Sequence, residues 1–145
     1  MPDGSLANKA KADVTNLDAL IIGAGFSGLY QLLSLRDKLG LRAKVVEAGD
    51  GVGGTWYWNR YPGARCDSES HSYSYYFDKE LLEEWQWSER YPGHAEVVKY
   101  LNYAADKLDL KRDINFNSKV VSAHYSQSQN KWVIKTEDQR EFVCT

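Results

Sequence analysis

The apolar positions of this chain follow different patterns in succession, beginning with short runs and a helical stripe. A run at Leu17–Ile22 ends at a glycine cluster, as expected of a buried parallel strand. Residues Phe26–Leu39 carry apolar side chains at helical spacing up to Gly40, a typical helix terminator. Ala43–Val46 forms a second short apolar run. Strand, glycine-rich turn, helix and strand within about thirty residues predict one βαβ unit.

The region that follows has no regular period. Residues 50–78 are rich in glycine, serine, tyrosine and proline, and a loop of this length in a compact domain is usually functional or disordered. Eleven of the chain's nineteen aromatic residues lie between Trp56 and Tyr91, which is unlike a solvated linker. We therefore interpret the loop as ordered around a ligand, with most of these aromatic side chains serving core packing.

Two helices and a group of strands complete the pattern. Apolar spacing predicts a short helix at Lys79–Trp87 and a longer one at His94–Leu108. Alternation then predicts strands at Ile114–Phe116, Val120–Tyr125, Trp132–Thr136 and Glu141–Cys144. The first is expected to join the parallel sheet and the others to form an antiparallel meander. The predicted fold class is α/β, with a Rossmann-like βαβ unit and a β-meander. Because the chain stops beside a predicted strand, we expect this fold to be incomplete at the C-terminus.

Composition narrows the class of protein. The 145 residues fit one domain, with residues 1–16 as a polar flexible tail. A net charge of −2 argues against nucleic acid as a partner. No apolar run approaches the roughly 20 residues that cross a membrane, and the N-terminus lacks the apolar core of a signal peptide, so we expect a cytoplasmic protein. Cys66 and Cys144 are expected to be reduced thiols, and the isolated histidines indicate no metal site.

The candidate chemistry begins at a glycine fingerprint. Residues 23–28, Gly-Ala-Gly-Phe-Ser-Gly, fit GxGxxG between a predicted strand and a predicted helix, where glycines let a pyrophosphate approach the helix N-terminus. Glu47 lies 19 residues beyond Gly28, at the end of the second strand, where its carboxylate can accept hydrogen bonds from ribose hydroxyls. The same carboxylate would repel a 2′-phosphate. The nucleotide at this site is therefore predicted to be FAD or NAD(H), and not NADP(H).

The run after Glu47 points to a class of enzyme. Residues 51–70, GVGGTWYWNRYPGARCDSES, combine a Gly-Gly pair, clustered aromatics, a Pro-Gly turn and an Arg-Cys-Asp triplet. This run resembles, almost residue for residue, the N-terminal region of type I Baeyer–Villiger monooxygenases, such as cyclohexanone and phenylacetone monooxygenases. GAGFSGLY and DKELLEEWQWSERYPG resemble the same family. The resemblance implies that residues 17–145 are the N-terminal part of an FAD-binding domain, without the family's NADPH domain.

The resemblance also implies roles for the matching positions. The glycine fingerprint would hold the FAD pyrophosphate, Glu47 the adenosine ribose, and the backbone of Val120 the adenine. Residues 55–58 would line the flavin, with Tyr73 nearby. Residues 65–67 would lie where NADPH reaches the flavin, while most of the NADPH contacts would come from regions outside this chain. The complete set implied in cofactor binding is Gly23, Gly25, Phe26, Ser27, Gly28, Glu47, Gly54, Thr55, Trp56, Tyr57, Trp58, Arg65, Cys66, Asp67, Tyr73 and Val120.

The family's reaction assigns a catalytic purpose to Asp67. In these enzymes reduced FAD and O2 form a C4a-peroxyflavin that attacks a small-molecule ketone and yields an ester or lactone. A cation beside the peroxide stabilises the negative charge. Asp67 matches the acid that orients the active-site arginine, which lies later in the family's sequence.

This chain carries only part of that apparatus. It has neither a second GxGxxG segment nor the FxGxxxHxxxWP fingerprint that separates the two domains in the family. We therefore expect the 145 residues alone to be inactive and to work with the remainder of a parent polypeptide. Two other functions stay open, an N- or S-oxidising flavin-containing monooxygenase and a non-catalytic FAD-binding module. The run WYWNRYPGARCD favours the Baeyer–Villiger class.

Overall fold

The computed structural model describes residues 14–145, which contain seven strands and four α-helices. The strands are β1 (Val14–Asn16), β2 (Ala19–Ile22), β3 (Ala43–Val46), β4 (Ile114–Asn115), β5 (Val120–Ser126), β6 (Lys131–Thr136) and β7 (Glu141–Cys144). The α-helices are α1 (Phe26–Leu33), α2 (Thr55–Trp58), α3 (Lys79–Glu84) and α4 (His94–Lys107). Within this range, none of the helices has the length and apolar character needed to cross a bilayer.

The glycine fingerprint lies at the end of a parallel sheet. Strands β2, β3 and β4 lie side by side in that order. Leu29 and Leu32 of α1 are fully buried, as is Val45 of β3, because the helix packs its apolar stripe on the sheet. The predicted βαβ unit is confirmed, and so is the parallel strand that follows α4.

The first helix is shorter than its apolar spacing predicts. Its α-helical part ends at Leu33, and residues Ser34–Lys38 continue as a π-helical turn. Arg36 in this turn donates hydrogen bonds to the carbonyl oxygens of Leu108 and Asp109, at 3.1 and 2.8 Å. These contacts tie the end of the first helix to the end of α4, a tertiary connection that helical periodicity does not contain.

A second sheet packs against the face of β2 and β3 that carries Leu20 and Val46. Its order is β1-β7-β6-β5, with β5, β6 and β7 antiparallel and β1 parallel to β7. The predicted meander is therefore confirmed. Val14–Asn16 belong to this sheet, although the sequence places them in the polar tail; the pairing partner lies more than 120 residues away, beyond the reach of a local pattern. The rest of the predicted tail, residues 1–13, lies outside the described residues.

The long loop before α3 contains structure that the sequence does not indicate. It holds α2 and a 3₁₀ turn at Ser70–Ser72, which are too short to show a period. Val52 and Tyr75 are buried in the core, so the loop packs against the βαβ unit. Helix α3 begins where the Asp78 side chain accepts a hydrogen bond from the Leu81 amide, at 3.0 Å.

Candidate functional site

A cleft of about 360 Å³ opens beside the glycine fingerprint. It lies at the carboxyl end of β2, where ligands bind in open α/β sheets. Two loops form it, the fingerprint turn (residues 23–28) and a second loop, Gly49–Gly54. The residues that line the cleft are Ile22, Gly23, Gly25, Phe26, Ser27, Gly28, Gly53, Gly54, Thr55, Trp56 and Tyr73. Backbone therefore forms much of its wall, and a ligand can approach the peptide groups closely.

The two loops touch through their glycines. The Gly53 amide donates a hydrogen bond to the Ala24 carbonyl oxygen at 3.0 Å. A Cβ atom added at Gly54 would lie 2.9 Å from the Gly25 Cα, and one added at Gly25 would lie 3.3 Å from the Gly54 Cα. Gly54 also has φ +54°, which favours glycine. Side chains at either position would push the loops apart and change the width of the cleft.

The N-terminus of α1 faces the cleft. Its first turn, Phe26–Gly28, lines the cavity, and the amide groups of a first helical turn have no acceptor within the helix. They carry partial positive charge and suit an anion such as a pyrophosphate. This turn of the helix lies very close to the end of the strand: a Cβ added at Gly28 would lie well inside 3.0 Å of the Gly23 carbonyl oxygen.

Glu47 is buried between the two loops. Its side chain is only 4% exposed. One carboxylate oxygen accepts a hydrogen bond from the Ala24 amide and the other from the Gly49 amide, each at 2.7 Å. The two bonds leave about half of the carboxylate's acceptor sites unused. A contact between these sites and a ribose stays a prediction. The described structure adds a second task that the sequence did not indicate: Glu47 links the loops through their backbones.

Part of the aromatic run faces the cleft. Trp56 and Tyr73 line it, and the Trp56 indole N–H donates to the Tyr73 hydroxyl at 3.0 Å. The Tyr73 ring meets Phe26 edge to face at 4.9 Å between centroids. Tyr75 supports the same corner by donating to the Phe26 carbonyl oxygen at 2.7 Å. Burial raises the pKa of Tyr75, so its hydroxyl stays protonated and donates this bond.

Other predicted cofactor residues lie away from the cleft walls. The Tyr57 ring packs against the far side of the Gly49–Gly54 loop, and Trp58 is 59% exposed. Val120 packs against the cluster around Val46, beside Glu47. Their contacts with a cofactor stay predictions. Gly53, expected with residues 54–58 to face the flavin, also lines the cleft. Sequence reasoning missed Ile22, which lines it as well; its place at the end of a strand, directly before the glycine turn, was the available signal.

The Arg-Cys-Asp triplet does not line the cleft. Arg65 pairs with Glu89 and donates to the Tyr91 carbonyl oxygen, both at 2.5 Å. The Cys66 thiol is buried and free. Asp67 is exposed and has no hydrogen-bond partner among residues 14–145. The catalytic role of Asp67 stays a prediction.

Several known proteins are similar to this chain in sequence. A family model described as an NAD(P)-binding Rossmann-like domain matches residues 21–84. An acetone monooxygenase (methyl acetate-forming) from Gordonia sp. (strain TY-5) is 50% identical over 86% of this chain and 23% of its own length. A phenazine N-monooxygenase from Lysobacter antibioticus is 44% identical over 91% of this chain and 24% of its own length.

Solved structures agree with the sequence comparison. The closed crystal structure of a cyclohexanone monooxygenase superposes with a TM-score of 0.88 at 41% identity, over 91% of this chain and 25% of that one. The resemblance to Baeyer–Villiger monooxygenases is therefore confirmed, as is the Rossmann-like α/β fold. The chain spans about a quarter of the length of these relatives and corresponds to their N-terminal, FAD-binding part.

Proposed function

We propose that this chain is the FAD-binding part of an NADPH- and O2-dependent monooxygenase that inserts oxygen next to the carbonyl of a ketone. The observation that carries the proposal is the cleft between the two glycine loops. Much of its wall is backbone, and it is also lined by the N-terminus of α1 and by the side chains of Trp56 and Tyr73. That arrangement provides for a pyrophosphate next to a planar ring system. The relatives that form methyl acetate or oxidise cyclohexanone support the ketone as substrate class.

The residues present fit the cofactor. The fingerprint turn would hold the pyrophosphate, and a Cβ at Gly25 or Gly54 would fill the space between the loops. Glu47 would meet the adenosine ribose with its remaining acceptor sites, while Thr55, Trp56 and Tyr73 would contact the flavin. Bound FAD supplies the electron transfer from NADPH and the activation of O2. The chain's own contribution is to bind and orient that group, while Asp67 holds a cation that another segment supplies.

Oxidation at nitrogen is a second candidate reaction. The observation that favours it is the 44% identity to a phenazine N-monooxygenase, over the same part of the chain. FAD binding is common to both reactions, so this cleft does not separate them. A third candidate function is that of a non-catalytic FAD-binding module. In that case a longer protein containing this chain would bind FAD without turning over a substrate. We favour the ketone as substrate because both the acetone and the cyclohexanone enzymes match this chain closely.

Titration of the chain with FAD tests the proposal directly. We expect saturable binding, seen as quenching of flavin fluorescence, and a yellow protein after gel filtration. Gly25→Ala is expected to weaken FAD binding about tenfold or more, because the added methyl group crowds both the pyrophosphate and the Gly54 Cα. Gly93→Ala is the matched control, since its Cβ would meet nothing closer than 3.9 Å. Absence of binding by the unmodified chain would contradict the proposal.

A chimera tests the role of Asp67. This chain would replace the matching segment of the acetone monooxygenase, and gas chromatography would follow methyl acetate formation. Asp67→Asn is expected to slow the reaction about 10- to 100-fold while leaving FAD bound, because it weakens the hold on the active-site cation. Asp106→Asn, on the exposed end of α4, is the control and should leave the rate unchanged. Equal rates for the two variants would refute the role of Asp67.

A further inference from the structure

Two hydrogen bonds donated by its own amides hold the Gly49–Gly54 loop on one side. Glu47 binds the Gly49 amide, and Gly53 donates to the fingerprint turn through the Ala24 carbonyl oxygen. These contacts join the loop to Glu47 and to the fingerprint turn. They do not explain how so glycine-rich a segment keeps one conformation, since glycine has the largest conformational freedom of any residue.

Tyr57 covers the outer side of the same loop. A Cβ added at Gly49 would lie 2.6 Å from the Tyr57 ring, and one added at Gly51 would lie 3.3 Å from it. A Cβ at Gly53 would meet the Tyr57 Cβ at 2.9 Å. The absence of side chains at these three glycines therefore leaves the space that Tyr57 occupies against the loop. The loop is packed between Tyr57 and the fingerprint turn.

The Tyr57 hydroxyl closes this packing with Asp50, which lies in the loop itself. It donates to the Asp50 carboxylate at 2.5 Å and accepts from the Asp50 amide at 3.2 Å. Arg60 supports the ring from its own turn: its guanidinium carbon lies 4.5 Å from the ring centroid, and its Nε donates to the Tyr57 carbonyl oxygen at 2.6 Å. Both ends of Tyr57 are thus fixed.

We infer that Tyr57 and Asp50 form a latch that positions the Gly49–Gly54 loop for the cofactor. The latch holds Gly54 against Gly25 and so sets the width of the cleft before a ligand arrives. Ordering the loop in advance removes an entropy cost from binding. Tyr57 and Asp50 are positioning residues in this role, since neither lines the cleft. The inference rests on the proposed function, because the ligand whose binding it improves is FAD.

Amide hydrogen exchange of the chain without cofactor tests the latch itself. Tyr57→Phe keeps the ring and removes the hydroxyl, and Asp50→Ala removes the acceptor. Both variants are expected to speed exchange of the amides between Gly51 and Gly54 about fivefold. The double variant should equal either single one, because the two residues act as one unit. Asp50→Asn keeps an acceptor oxygen and should recover part of the protection. Tyr61→Phe, at an exposed tyrosine, is the matched control.

FAD affinity tests the positioning. Tyr57→Phe and Asp50→Ala are expected to weaken FAD binding about fivefold, while the melting temperature stays within about 2 °C of the parent chain. Unchanged exchange in both variants would overturn the latch, whatever the affinity. Faster exchange with unchanged affinity would overturn its role in positioning. Failure of the unmodified chain to bind FAD would instead refute the proposed function, and the exchange rates would still decide whether the latch exists.

Discussion

Replacing Gly28 with alanine is expected to destabilise the chain by about 3 kcal/mol and to lower its melting temperature by roughly 10 °C. In most helices the same change would stabilise by about 1 kcal/mol, because alanine is the better helix former. Here the added methyl group would lie well inside 3.0 Å of the Gly23 carbonyl oxygen and 3.0 Å from the Gly23 carbonyl carbon. Those are backbone atoms, so relief requires moving the helix away from the turn. Thermal unfolding followed by circular dichroism measures the effect.

The control for this prediction lies one turn along the same helix. Gln31 is exposed in α1, so Gln31→Ala should keep or slightly raise the melting temperature. If Gly28→Ala were as stable as the Gln31 variant, the close approach of helix and turn would be wrong. FAD affinity should fall with Gly28→Ala as well, because the helix N-terminus that faces the cleft would be displaced.

Replacing Glu47 with alanine is expected to cost about 3 kcal/mol of unfolding free energy in the chain without any cofactor. The change leaves the Ala24 and Gly49 amides without their acceptor in a buried place, and a hydrogen bond to a charged group contributes roughly 1.5–3 kcal/mol. Glu47→Gln should recover only part of this loss. Its single carbonyl oxygen can accept from one amide, while its NH2 group faces the other. Urea unfolding with linear extrapolation measures the difference.

This result separates two roles for Glu47. If the carboxylate served only a ribose, its loss would weaken FAD binding and leave the stability of the free chain unchanged. A structural link between the two loops predicts a loss in the free chain. Glu83→Ala, at an exposed glutamate in an i,i+4 pair with Lys79, is the control and should change stability by less than about 0.5 kcal/mol.

Much of the fold was predictable from the sequence. The glycine turn, the stripe of α1 and the runs at β2 and β3 are local signals, and each has the period of the element that it forms. The alternation of β5, β6 and β7 likewise predicts a meander, since their turns are short. Elements without a period were not predictable. Helix α2 spans four residues, and β1 exists only because β7 lies beside it.

The candidate site divides in the same way. The glycine fingerprint and Glu47 predict a nucleotide site, because these residue types occur at a fixed spacing. Their partners do not. That Glu47 holds Ala24 and Gly49, or that Gly54 touches Gly25, depends on two loops meeting in space. The aromatic run shows the limit most clearly. The resemblance implied that residues 55–58 line the flavin together, whereas Trp56 lines the cleft and Tyr57 packs behind the Gly49–Gly54 loop.

The sequence by itself determined the class of fold and the resemblance to Baeyer–Villiger monooxygenases, and it predicted where a nucleotide would bind. The fold class rests on periodicity, the predicted site on residue types at a fixed spacing, and the resemblance on the motif at residues 51–70. Only the tertiary structure decided which side chains face the cleft and which hold its walls. A side chain's direction depends on the backbone conformation of its loop, and here that conformation is set by contacts between residues about 20 to 30 positions apart. Such contacts leave no regular trace in a single sequence.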